Sequence, residues 1–193
     1  MKMSVGYSVP TLIQQTVMYF ASLAILPIVN RVGAAAAAAY AVCLQIYSLV
    51  AGMYENPGKV VSNYVSQCIG AGKTEKIFKA VSVGLLQNTA FTIPVMLLFT
   101  VGARFTSGFF FPKGYSGPDL DMVIAFSRLC LPLLLFNIVN NLFHSLARGL
   151  KKMGLLIIST FIGCASRIVA SYFLAPSYKM NGIYAGWAIG WIA

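Results

Sequence analysis

Long stretches without a single charged residue dominate this sequence. Spanning the hydrocarbon core of a bilayer takes ~20 predominantly apolar residues. Runs of that order lie between Lys2 and Arg31, Arg31 and Glu55, Lys79 and Arg104, and Arg128 and Arg148. A fifth extends from Met153 to Pro176 with only Arg167 interrupting it, and a sixth starts near Met180 and stops at Ala193. The fold class that follows is all-α, a polytopic transmembrane bundle forming one lobe over 1–193. Its helices are predicted at about 9–30, 34–70 with a kink near Pro57, 77–103, 120–148, 152–176 and 181–193. The sixth reaches only about 21 Å at 1.5 Å per residue, short of a ~30 Å core, so the sequence is expected to be cut inside its last helix. The second exceeds a membrane thickness, which is why Pro57 and Gly58 are expected to bend it.

Composition excludes the obvious alternative to a membrane protein. A formal net charge of +10 suits nucleic acid, but charged residues are only 9% of the chain and mean hydropathy is +0.79. The basic residues punctuate apolar runs instead of forming a patch, so no nucleic-acid partner is expected and lipid is. Cys43, Cys68, Cys130 and Cys164 lie far apart in apolar surroundings with no metal-ligand spacing, and read as small buried side chains. Met1-Lys2-Met3-Ser4 opens like a signal peptide, but Pro10 and Gln14-Gln15 interrupt the apolar stretch, which reads as a retained helix. The N-terminus and even loops hold seven basic residues (Lys2, Lys73, Lys76, Lys79, Arg148, Lys151, Lys152) against four in the odd loops (Arg31, Arg104, Lys113, Lys179), which predicts a cytoplasmic N-terminus. Phe109-Phe110-Phe111-Pro112 and the Gly114–Pro118 stretch read as an external turn with an aromatic anchor.

Polar residues inside the apolar runs carry the functional signal, because each is costly in lipid unless satisfied. On the second run Gln45, Ser48, Gly52, Glu55, Lys59, Ser62 and Ser66 recur at three and four residues, widened by Asn56, Asn63 and Gln67. On the fourth, Asn137, Asn140, Asn141, His144, Ser145 and Arg148 do the same. The first offers Gln14, Gln15, Tyr19 and Ser22. Three such stripes predict a shared polar cavity; the alternative is interhelical hydrogen bonding that serves packing alone.

Glu55 is the only carboxylate well inside a run. It is the candidate for cation coupling, binding Na⁺ or exchanging a proton. Two structural readings stand beside this: an ion pair with Lys59, four residues on in the favourable helical order, or a position near the membrane interface. His144, the single histidine, reads either as a proton acceptor or as a hydrogen-bonded interior residue. Arg128 and Arg167 are expected to snorkel from helix ends. No catalytic set or metal motif is present; Gly70-Ala71-Gly72-Lys73 lacks the upstream spacing of a phosphate loop and reads as a helix cap and basic loop, so no enzyme and no cofactor beyond a coupling ion are expected.

Several segments carry a family resemblance. Val61-Ser62-Asn63-Tyr64-Val65-Ser66-Gln67-Cys68-Ile69-Gly70-Ala71-Gly72-Lys73 resembles the glutamine and Gly-Ala-Gly signature of multidrug and toxic compound extrusion (MATE) transporters. Pro10 with Gln14-Gln15, Asn30-Arg31-Val32-Gly33, Arg148-Gly149, and Asn181 to Trp191 match further segments of a lobe in order. The resemblance implies the C-terminal six-helix lobe of a protein about twice this length. It implies antiport driven by Na⁺ or H⁺, exporting drug-like molecules or organic cations across the plasma membrane. The partner would be an N-terminal lobe of the same transporter or a second copy. A lipid or polysaccharide flippase and a non-transporting membrane subunit are the competing readings.

Overall fold

The computed structural model describes residues 2–193, with side chains described from Val9 onward. Among these residues the chain forms eight α-helices and one 3-10 turn. The helices are α1 (Lys2–Val32), α2 (Ala34–Gly70), α3 (Glu75–Val101), α4 (Ala103–Gly108), α5 (Pro118–Leu129), α6 (Leu134–Gly149), α7 (Met153–Tyr178) and α8 (Met180–Ile192). Five stretches are long and apolar enough to cross a membrane: Val9–Val32, α2, α3, Pro118–Gly149 and α7. Helix is the form these stretches take because it satisfies every backbone group within its own segment, where no water is available to do so.

α2 runs for 37 residues with Pro57 inside it, a length of about 55 Å. Proline removes one backbone bond without ending the helix, which a surrounding bundle tolerates. The fourth predicted helix is two helices. Pro132 sits in the 3-10 turn Leu131–Leu133 that separates α5 from α6, closed by Leu133 N–H donating to Cys130 O at 3.1 Å. Proline supplies no N–H and disfavours the α conformation in the residue before it, so the apolar run is continuous where the helix is not. Just before α5, Phe111 stacks on Tyr115 at 5.4 Å. The Tyr115 hydroxyl donates to Asp119 Oδ1 at 2.8 Å, and that bond raises the tyrosine's pKa.

The core centres on α8. Its Trp187 is fully buried and meets Tyr40 and Tyr47 of α2, at 5.9 and 5.2 Å, and Phe126 of α5, at 5.7 Å, edge to face. The Arg167 guanidinium of α7 lies 3.8 Å over the same indole, and its Nη2 donates to the Tyr40 hydroxyl at 3.4 Å. Arg167 therefore does not snorkel: it is held in the lobe by a π face and a phenol, an arrangement that strengthens as water is excluded.

α7 and α8 are joined through Lys179 alone, at φ 51°. They pack closely because Gly182, Gly186 and Gly190 put no side chain between them. A Cβ at Gly186 would strike Ser171 Oγ and approach Ser171 N to 2.9 Å and Arg167 O to 3.1 Å. Small residues at such a seam let helices associate in lipid through dispersion contacts. Gly186→Val is expected to destabilise the lobe by about 1–3 kcal/mol through forced separation of the pair. Gly154→Val, where a Cβ meets nothing within 4 Å, is expected to change stability by less than about 0.5 kcal/mol. Thermal unfolding of the two variants in detergent checks both.

Candidate functional site: a polar cleft within the lobe

α1, α2, α6, α7 and α8 leave a cleft of about 100 Å³ between them, with Met18 the α1 contribution. α2 contributes Tyr47 and Glu55; α6 contributes Asn137, Asn140, Asn141 and His144, one turn or less apart on one face. α7 supplies Ser159, Thr160, Cys164 and Arg167, and α8 closes the end with Gly190 and Trp191. The floor is tight: at Gly58 a Cβ would lie 2.5 Å from Asn141 Oδ1 and 2.9 Å from Ser145 Oγ, so a glycine is what brings α2 against α6.

Hydrogen bonds fix most of the lining. Asn137 Nδ2 donates to Tyr54 Oη at 2.9 Å and to Tyr47 Oη at 3.3 Å, bridging α6 to two turns of α2. His144 Nε2 pairs with Ser159 Oγ at 2.8 Å, with the donor set by the imidazole tautomer. Gln14, 2% exposed, donates from Nε2 to Thr160 Oγ1 at 3.2 Å, and that hydroxyl donates to Leu156 O at 2.8 Å. Two acceptors are left over, Gln14 Oε1 and Asn141 Oδ1, both buried and without a partner. Buried orphans of this kind are costly and mark sites that take water, an ion or a ligand.

Glu55 is half-buried on the cleft wall. The expected ion pair with Lys59 does not form. Lys59 Nζ donates to Asn56 Oδ1 at 3.2 Å, and Glu55 has no hydrogen-bond or ion-pair partner among the described residues. Lys59 and Arg148 act on it only through space. Asn56 sits three residues before Lys59, on its own face of the helix, and captures the ammonium first.

The residues singled out in the sequence divide into three groups. Glu55, Asn137, Asn141 and His144 come together in the cleft, with Gln14 in the layer behind it. Gln15 and Tyr19 do not join them; Tyr19 is 70% exposed on the outside of α1. Gln45, Asn56 and Asn63 are exposed along a separate face of α2. Sequence reasoning missed the α7 wall. Its signal was there: Thr160, Cys164, Arg167 and Ser171 repeat at four, three and four residues along an otherwise apolar helix.

The sequence matches the MatE family over residues 10–173. Its fold is similar to an outward-facing multidrug resistance MATE family transporter of the MOP superfamily, at TM-score 0.89 and 16% identity, covering 97% of this chain and 42% of that one. It is also similar to a MOP superfamily transporter from Pyrococcus furiosus, for which a binding pocket of reverse polarity suggests a different function (TM-score 0.84, 17% identity, 97% and 41% covered). A MATE in complex with MaL6 matches at TM-score 0.80 and 18% identity, over 97% and 42%. The chain thus spans about two fifths of the length of these transporters. A search of curated proteins gave no match.

Asn137→Leu removes the bridge to Tyr54 and Tyr47 and leaves one buried and one half-buried phenol without their donor. It is expected to cost about 1–2 kcal/mol, and Tyr54→Phe in the same background to add less than it does alone. A double-mutant cycle on thermal unfolding measures the coupling.

Proposed function

Since the chain belongs to the MatE family, we propose that it is the C-terminal lobe of a cation-coupled exporter of drug-like molecules or organic cations. One observation carries the reading: an unpaired, half-buried carboxylate, Glu55, on the wall of a cleft lined by amides and hydroxyls. A carboxylate at membrane depth is expensive, ~2.5–3.5 kcal/mol even by translocon-insertion scales. A group kept there without a counter-ion is suited to taking Na⁺ or a proton and giving it up again. Asn137, Asn141 and His144 supply oxygen and nitrogen atoms beside it.

The exposed face of α2 supports a second surface for the same activity. Gln45, Asn56, Lys59 and Asn63 point out of the lobe. Facing lipid, amides and an ammonium are unfavourable; facing an aqueous passage between this lobe and an N-terminal one, they are solvated. Cargo would then move between lobes while Glu55 cycles inside one of them. The loop charges support a plasma-membrane topology with the N-terminus in the cytoplasm, since Lys73, Lys76 and Lys79 share a side with Arg148, Lys151 and Lys152.

In the intact transporter Glu55→Gln is expected to reduce cation-coupled efflux to background at normal abundance in the membrane. Dye efflux from vesicles with an imposed Na⁺ or proton gradient checks this, and undiminished coupling removes Glu55 from the mechanism. Lys59→Met is expected to leave coupling in place and to change stability by less than about 0.5 kcal/mol, because Lys59 bonds Asn56 and not Glu55.

A further inference from the structure

A second cavity lies outside the cleft. It is a groove of about 380 Å³ between α2 and α3, on a different flank of α2 from Glu55. We propose that this groove binds an anionic phospholipid of the adjacent leaflet, with the headgroup phosphate on Lys76 and Lys79 and an acyl chain laid along Val60, Tyr64 and Val83.

The dimensions fit a single leaflet. Lys76 stands at one end and Gln87 at the other, about 16 Å apart along α3, which is half of a ~30 Å hydrocarbon core. Along the floor, Gly84 lets α3 close onto Val61 of α2, since a Cβ there would collide with Val61 Cγ2. The walls are exposed apolar side chains, and the basic pair is confined to the end beside the α2–α3 turn, where a headgroup would lie.

The charges ask for an anion. Lys76 and Lys79 are three residues apart and so share a face of α3. Neither ammonium has a partner among the described residues. Both lie near the N-terminus of α3, whose N-cap Thr74 makes no side-chain capping bond. The first turn of α3 carries one carboxylate, Glu75, against Lys73, Lys76 and Lys79, so this end is net positive and favours a further anion. A phosphate between the two lysines answers that excess.

Most outward residues of α3 suit lipid: Phe78 is 80% exposed, Leu86 71% and Val101 80%, with Ser82 and Gln87 the polar exceptions beyond Lys79. This contrasts with the amides on the free face of α2. Basic pockets between membrane helices at the headgroup level are where anionic lipid heads are recognised. The proposal does not depend on what the transporter carries or on Glu55.

The test titrates the detergent-solubilised intact transporter with dioleoylphosphatidylglycerol, dioleoylphosphatidylcholine or inorganic phosphate, and reads the thermal transition. Phosphatidylglycerol is expected to raise it saturably, with phosphatidylcholine and phosphate far weaker. Lys76→Gln with Lys79→Gln is expected to weaken the phosphatidylglycerol response about 25-fold, from about 5-fold per lysine. Val83→Trp fills the groove without touching a charge, and is expected to weaken it as well. Lys113→Gln, outside the groove, is expected to leave it unchanged. An unaltered response in the double variant, an equal response to phosphatidylcholine, or a full response to phosphate alone overturns the proposal. So does a Val83→Cys thiol that resists alkylation after delipidation, since another part of the transporter then covers the groove.

Discussion

A polar group buried at membrane depth is costly unless it is answered inside the protein, and the arrangement of the lobe follows from where that is done. Arg167 is answered by the face of Trp187 and the hydroxyl of Tyr40. This draws α7, α8 and α2 to one point and places an aromatic cluster at the centre instead of an aliphatic one. Asn137 is answered by two tyrosines of α2, His144 by Ser159, and Gln14 by Thr160. These bonds link α6 to α2, α6 to α7 and α1 to α7. The polar stripes are the fasteners of the bundle, and the cleft is the place where the fastening stops.

That view separates the two roles that polar residues play here. A bond between two helices needs both partners satisfied, and Asn137 meets the condition. Glu55 and the Asn141 and Gln14 carbonyls do not. Packing alone therefore accounts for part of the stripe and not for all of it. Glu55, Asn141 and Gln14, from three different helices, lie in or beside the cleft; Asn88 and Thr92 of α3 are further buried polar groups without a partner, away from it. The groove between α2 and α3 follows another logic, with its charged groups at one end and its apolar walls open to the surroundings.

The helices were legible in the sequence wherever a charge or a turn closed an apolar run, as at Arg31-Val32-Gly33 and Gly70-Ala71-Gly72. The break at Pro132 was not, because hydropathy records burial and is blind to a missing N–H. Glu55, Asn137, Asn141 and His144 were legible by their helical spacing. Which of Gln14 and Gln15 faces inward was not: α1 is apolar on all sides, so no period distinguishes its faces. Arg167 was misjudged because a lone arginine in an apolar run looks the same whether it reaches for water or for an indole. The failure of the Glu55–Lys59 pair came from a competitor one residue away, Asn56, which a rule for two positions does not see.

The single-residue link at Lys179 has a consequence for how the protein is made. α8 buries eight of its side chains or glycine faces within the lobe, Trp187 and Trp191 among them. Its glycine seam is complementary to α7 and its connection leaves no slack. The two helices therefore form one closely paired hairpin. Trp187 follows Tyr40, Tyr47 and Phe126 in chain order, so the aromatic centre closes only when α8 joins the helices before it. Until then those three rings have no indole to close on.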